Sequence, residues 1–282
     1  MAFFLSFKNL SRCPLGKGAY VENRREGPDA ALAVAGGERH ISRRERVERT
    51  EDWDLIEPRS RWDVQRAMGL REAHREKVAR NEVRVSPLWA RPCRTYNVQI
   101  ELDPPTRASL GKIQQSIKQA EPNLRVCPEK TLHVSLAWLL AVHASYQVDK
   151  DALWERHAEE WIAQLRRIAA ESKAFRITYE HVVATDSAVV ALAQPSEPVN
   201  RIRGMIRERL RLPSETRNEA DLVHTTLFRY RGRLSDPEKL LALVEDTSAD
   251  ATAEVEELVV SKELVYPSLE AEVLGRLPLA SR

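Results

Sequence analysis

The sequence predicts a mixed α+β domain preceded by an N-terminal extension. Two observations carry the fold class. Strand-like and helical runs alternate loosely, and twice one strand-like run follows another directly, at Phe175–Ala184 with Ala188–Ala193 and at Glu254–Val265 with Leu269–Leu277. In addition, no G-x-G-x-x-G or G-x-x-x-x-G-K-[ST] loop occurs, which lowers the case for a doubly wound parallel sheet with dinucleotide or P-loop chemistry.

Taken in order, residues 1–55 read as a flexible charged segment. Few apolar side chains interrupt the run Arg39–Asp52, and such a stretch cannot bury enough apolar surface to offset its ordering entropy. Residues 56–92 read as an appended helical segment: Arg61–Glu82 is rich in helix formers, but its apolar stripe is thin. The catalytic-type domain is expected over 93–282. Thr95–Leu102 alternates apolar and polar residues like a half-buried strand. Pro104-Pro105 opens an amphipathic helix with Leu110, Ile113 and Ile117 on one face. Thr131–Leu140 is a second strand, and Asp149–Ser172 a long helix with Leu153, Trp161, Leu165 and Ile168 in line. The first strand pair follows, then a helix over Val199–Leu210, the strand Leu222–Tyr230, a short helix at Pro237–Val244 and the final strand pair.

Composition narrows the function. Of 282 residues, 43% are hydrophobic and 30% charged, enough for a sizeable core, and the net charge of +2 excludes a strongly basic, histone-like binder. The first ninety residues carry 18 basic and 14 acidic side chains, so the remainder is slightly acidic. No apolar run reaches the roughly 20 residues that span a bilayer, and Lys8 interrupts the apolar opening, which argues against a secretory signal. Cys13, Cys93 and Cys127 form no C-x-x-C pair, so neither a disulfide framework nor a structural zinc site is expected. A cytoplasmic protein, monomeric and without a membrane partner, is the expectation.

Seven histidines are present, and five (His40, His74, His143, His157, His181) have undistinguished settings. His133 and His224 differ. Leu132-His133-Val134-Ser135-Leu136 and Val223-His224-Thr225-Thr226-Leu227 share the form apolar-His-x-hydroxyl-Leu, and both lie in apolar strands. Alternation along a strand puts His133 with Ser135, and His224 with Thr226, on one face each. One such triplet among seven histidines is expected by chance; two of the same extended form are not. If both strands face one groove, one imidazole can take a proton from water while the other gives one to a leaving oxygen, and the hydroxyls can donate to phosphate oxygens. This chemistry requires no metal or other cofactor, and no H-E-x-x-H or acidic cluster accompanies either motif.

At these residues the sequence resembles the 2H phosphoesterase superfamily, in particular its bacterial 2′-5′ RNA ligase-like and cyclic nucleotide phosphodiesterase branch. The similarity extends to Leu227-Phe228-Arg229, the opening strand near Tyr96–Leu102 and the closing Val265-Tyr266-Pro267-Ser268-Leu269-Glu270, and covers about residues 94–280. It implies two pseudo-symmetric lobes of mostly antiparallel sheet with outer helices around a central groove. It also implies general acid and base roles for His133 and His224 and phosphate binding by Ser135, Thr226 and Arg229. The substrates it implies are RNA ends or small cyclic or 2′-5′-linked nucleotides. Opening a 2′,3′-cyclic phosphate to a 2′-phosphomonoester is the leading expectation; reversible 2′-5′ ligation uses the same residues. Strict alternation from His224 puts Arg229 on the opposite face, so it needs a twist or bulge to reach the groove; otherwise it is a surface arginine. Trp138 and Tyr230 are either base-stacking platforms or packing residues. Arg201, Arg203, Arg207, Arg209 and Arg211 read as a solvated helix. The alternatives are a non-catalytic RNA- or nucleotide-binding module, favoured if the basic N-terminal segment supplies the affinity, and a structural protein with both histidines buried. A partner for the N-terminal segment is not readable.

Overall fold

The computed structural model describes residues 60–216, 218 and 222–281, with side chains from residue 68 onward; the expectation for residues 1–55 lies outside the described residues. A helix α1 (Ser60–Ala79) precedes the strand β1 (Pro92–Glu101). Next come α2 (Pro104–Ala120), β2 (Leu124–Val126), β3 (His133–Leu140) and α3 (Lys150–Ala170). The hairpin β4 (Phe175–Ala184) and β5 (Ala188–Ala193) leads into α4 (Glu197–Arg209) and β6 (His224–Tyr230). The chain then forms α5 (Pro237–Asp246), β7 (Ser248–Val255), β8 (Glu257–Val265) and β9 (Glu270–Pro278). Four strands make one sheet in the order β3-β1-β8-β9, and five make the other in the order β2-β6-β5-β4-β7. Every pairing between these strands is antiparallel. The fold is α+β.

Local chemistry explains the helix boundaries. Asp103 accepts from the Thr106 amide at 2.8 Å with Pro104 and Pro105 in the first turn, Asp149 accepts from the Asp151 amide at 2.9 Å, and Asp236 accepts from the Lys239 amide at 3.0 Å. Trp161, Leu165 and Ile168 of α3 are fully buried, and Trp154 of the same helix stacks on Tyr96 of β1 with ring centroids 4.7 Å apart.

Two strands depart from the sequence reading. β7 and β8, expected as parts of one run from Glu254, belong to different sheets. The sequence of β7 (SADATAEV) buries only alanines and one valine, alternately with exposed residues, and so is poor in the large branched and aromatic residues that announce a strand. β2 is three residues long and too short to leave a period.

α1 lies against β4 beyond the end of its pairing with β7. Arg71 donates to the Val182 carbonyl at 3.0 Å, Val78 enters the main core, and Leu70 packs on a second apolar cluster of Val183, Ala188, Val190 and Leu192. At the β4–β5 turn the buried Asp186 receives Arg84 at 2.8 Å and Lys77 at 3.4 Å, and its amide donates to His74 Nδ1 at 3.2 Å. His74, unremarkable in sequence, is therefore part of the contact that docks this helix.

Candidate active site

The site is built from two strands with one irregularity in common. In β3 the register against β1 shifts so that Ala137 faces Val98 and Ser135 faces Gln99, leaving Leu136 as the extra residue. In β6 the register against β5 shifts so that Phe228 faces Val189 and Thr226 faces Val190, leaving Leu227 as the extra residue. Each strand thus bulges three residues after its histidine. Beyond a bulge the alternation of faces inverts. Arg229 therefore returns to the face of His224 and Thr226, and Trp138 to the face of His133 and Ser135. A carbonyl displaced by a bulge needs a new donor. The Leu227 carbonyl accepts from Gln114 Nε2 of α2 at 2.8 Å and from the Cys127 amide at 2.9 Å. The Leu136 carbonyl accepts from Arg203 Nε of α4 at 3.2 Å. Each bulge is held by a buried polar side chain from a helix.

His133, Ser135, His224, Thr226 and Arg229 all line one cavity of about 260 Å³. The two strands are tied together behind it. Thr225 Oγ1, fully buried and 2.7 Å from the Tyr179 hydroxyl, donates to the His133 carbonyl at 3.0 Å. Arg203 Nη2 donates to the Ser135 carbonyl at 2.8 Å and to the Leu222 carbonyl at 3.1 Å. One guanidinium thus bonds the backbone of both histidine strands.

His133 Nδ1 lies 2.8 Å from the Thr131 carbonyl, which can only accept, so Nδ1 carries the proton. Nε2 then holds the lone pair and takes a hydrogen bond from Ser135 Oγ at 3.2 Å. The corresponding carbonyl beside His224, also two residues upstream, is that of Leu222. Burial lowers the pKa of both imidazoles. For His133 the Thr131 carbonyl and Glu101 oppose that fall, and Arg229 adds to it. For His224 burial, then Arg229 and Arg203, bring the value down to about 4. Burial thus favours the neutral form of both rings. Arg229 donates to the Ser187 carbonyl at 3.4 Å, while its buried Nε finds no partner among the described residues, which leaves a guanidinium N–H for an anion. Cys127 also lines the cavity, but burial pushes its thiol up to about 12, so no thiolate nucleophile is available there.

Several residues sit differently from their sequence reading. Of the five arginines read as a solvated helix, Arg203 is buried, while Arg201, Arg207, Arg209 and Arg211 are exposed. Tyr230 is fully buried with its hydroxyl donating to the Thr185 carbonyl at 2.6 Å, so it is a packing residue; Trp138 lines the cavity and is 37% exposed. The alternation of β1 predicts a half-buried strand, yet its polar residues Thr95, Asn97 and Gln99 are buried too. Gln114, Arg203, Thr225, Asn97 and Glu263 carried no motif. The one available signal was the polar alternation of β1, which marks a face turned to a polar groove as readily as one turned to water.

No family model matches the sequence, and no curated protein matches it. Solved structures do. TT0787 of Thermus thermophilus is 16% identical with a TM-score of 0.49, over 67% of this chain and 99% of that one. Apo LigT of E. coli is 16% identical with a TM-score of 0.46, over 67% and 99%. Usb1 of Kluyveromyces marxianus is 14% identical with a TM-score of 0.38, over 67% and 98%. The solved neighbours are likenesses of fold, and the chemistry rests on the cavity itself.

Proposed function

We propose that the protein is a metal-independent 2H-type phosphodiesterase that opens 2′,3′-cyclic phosphates of RNA ends or nucleotides to 2′-phosphomonoesters. The observation that supports this most is the convergence of both histidine–hydroxyl pairs and Arg229 on one cavity, with the two strands bonded to each other behind it. A binding module needs donors, but it does not need two imidazoles, each beside a hydroxyl, on one cavity.

In this reading the cyclic phosphate sits between the rings. Ser135 and Thr226 donate to its non-bridging oxygens, and Arg229 balances the charge that grows there in the transition state. His224, whose protonated form Arg229 and Arg203 disfavour, is the base that takes a proton from the attacking water. His133, whose pKa burial lowers while the Thr131 carbonyl and Glu101 oppose the fall, is the acid that protonates the departing ribose oxygen. An anionic substrate raises both pKa values on binding, because an opposite charge favours the imidazolium. Ligation would be the same ring opening with a ribose 5′-hydroxyl in place of the water: it loses its proton to His224 and bonds to phosphorus as the 3′-oxygen departs.

The test is turnover of 2′,3′-cyclic nucleotides in excess EDTA across pH 4–9. Because the free site holds both imidazoles low, kcat/KM should be bell-shaped with its optimum below pH 6.5, and kcat should peak at higher pH. Folded protein that turns over neither cyclic nucleotides nor short 2′-5′ and 3′-5′ oligonucleotides would overturn the proposal in favour of a nucleotide-binding module.

A further inference from the structure

The face of the four-stranded sheet that carries His133 and Ser135 is polar well beyond them. Register puts Ser135 beside Gln99 and Trp138 beside Asn97 on β1, and Asn97 beside Ser261 and Thr95 beside Glu263 on β8. Asn97, Ser261 and Glu263 are 2%, 1% and 5% exposed. Asn97 Oδ1 and Ser261 Oγ are buried with no hydrogen-bond partner among the described residues. An unpaired buried polar atom is destabilising, and an apolar residue at either position would remove that cost. Asn97 and Glu263 nonetheless line the cavity that holds the histidines, together with Trp138, Tyr266 and Pro267. Glu263 has one carboxylate oxygen engaged by the Ser268 amide. Burial raises its pKa, with Ser268 and Arg229 opposing the rise.

The cavity therefore has two chemical ends. Around Arg229, His224 and Thr226 it offers donors suited to phosphate. Along β1 and β8 it offers the Asn97 amide and the Glu263 carboxylate, and the carboxylate would repel a phosphate. Flat side chains, Trp138 and Tyr266, line the cavity with the acceptors.

We propose that Asn97 and Glu263 form a nucleobase subsite, which accepts hydrogen bonds from the N–H edge of a base stacked against Trp138 or Tyr266. This rests on the phosphodiesterase reading and deepens it. Adenine, guanine and cytosine each carry an exocyclic amine for such acceptors, whereas uracil offers a single ring N–H. The protein thereby prefers amino-bearing bases to uracil.

The test uses the full chain with the four 2′,3′-cyclic nucleotides and a base-free ester, 1-O-methylribose 2′,3′-cyclic phosphate. Wild type should favour the adenine, guanine and cytosine esters over the uracil one. Asn97→Leu and the near-isosteric Glu263→Gln should each raise KM for the amino-bearing nucleotides about tenfold, with kcat within about threefold. The base-free ester should be unaffected. Equal losses on the base-free ester would overturn the subsite in favour of a sugar-hydroxyl contact or a merely structural role, and no change on any substrate would overturn it outright. If Asn97→Leu does not fold, Glu263→Gln decides. Calorimetric binding of 2′-AMP separates the two readings. Wild type that binds 2′-AMP but hydrolyses nothing sinks the phosphodiesterase, and a drop in 2′-AMP affinity in the variants still supports the base subsite. Wild type that neither binds nor hydrolyses overturns both.

Discussion

Arg203→Met removes the guanidinium that bonds three carbonyls, those of Ser135, Leu136 and Leu222, while keeping a long apolar stem in the same space. Each carbonyl left without a donor costs about 1–3 kcal/mol, less whatever water recovers, so a loss of about 4 kcal/mol is expected in urea unfolding at pH 7. A second readout separates a scaffold from a tuned site. Arg203 is one of two arginines that hold the His224 pKa down at about 4. Without it that pKa rises toward 6.5, and the acid limb of kcat/KM moves to higher pH. The sign in stability follows. His224 binds its proton more weakly in the folded than in the unfolded chain, so the wild type has its full stability above about pH 6.5. It loses about 3 kcal/mol as pH falls from there to about 4. In Arg203→Met that window narrows. Arg203→Lys, with a single ammonium, should recover only part of the stability. A stability loss under about 1 kcal/mol, or a large loss with an unmoved acid limb, would refute the reasoning.

Three other outcomes are expected. His133→Ala and His224→Ala should each lower kcat by about 10²–10⁴, with a preserved circular dichroism spectrum. Arg229→Met should lower kcat/KM by about 10²–10³ on cyclic nucleotides and weaken the dependence on phosphate charge, read by comparison with a phosphorothioate ester. Asp186→Ala should cost about 1–3 kcal/mol and raise hydrogen exchange along α1, because Arg84 and Lys77 lose their shared carboxylate.

The helices were legible because their periods are long and their ends are marked, as at Asp103-Pro104-Pro105 and Asp236-Pro237. The histidine strands were legible because the motif occurs twice. What stayed hidden depends on register. Nothing in Leu227-Phe228-Arg229 says that Leu227 is the unpaired residue; that is fixed by Val189 and Val190 across the strand and by Gln114 from α2. Arg203 shares the buried stripe of Val199, Ile202 and Ile206, but a helix period does not say which carbonyls its guanidinium meets. Asn97 looked solvent-facing for the same reason: a period of two reports polarity, not what the polar face meets.

The paired bulges have a consequence for direction. A cyclic phosphate has an entering and a departing oxygen, so the groove has to distinguish its two sides, yet the strands that flank it repeat one pattern through histidine, hydroxyl and displaced leucine. The first clear difference comes one step after each bulge, where one strand presents Trp138 and the other Arg229. That position, together with Glu101 beside His133 and Arg203 beside His224, gives the duplicated motif its polarity.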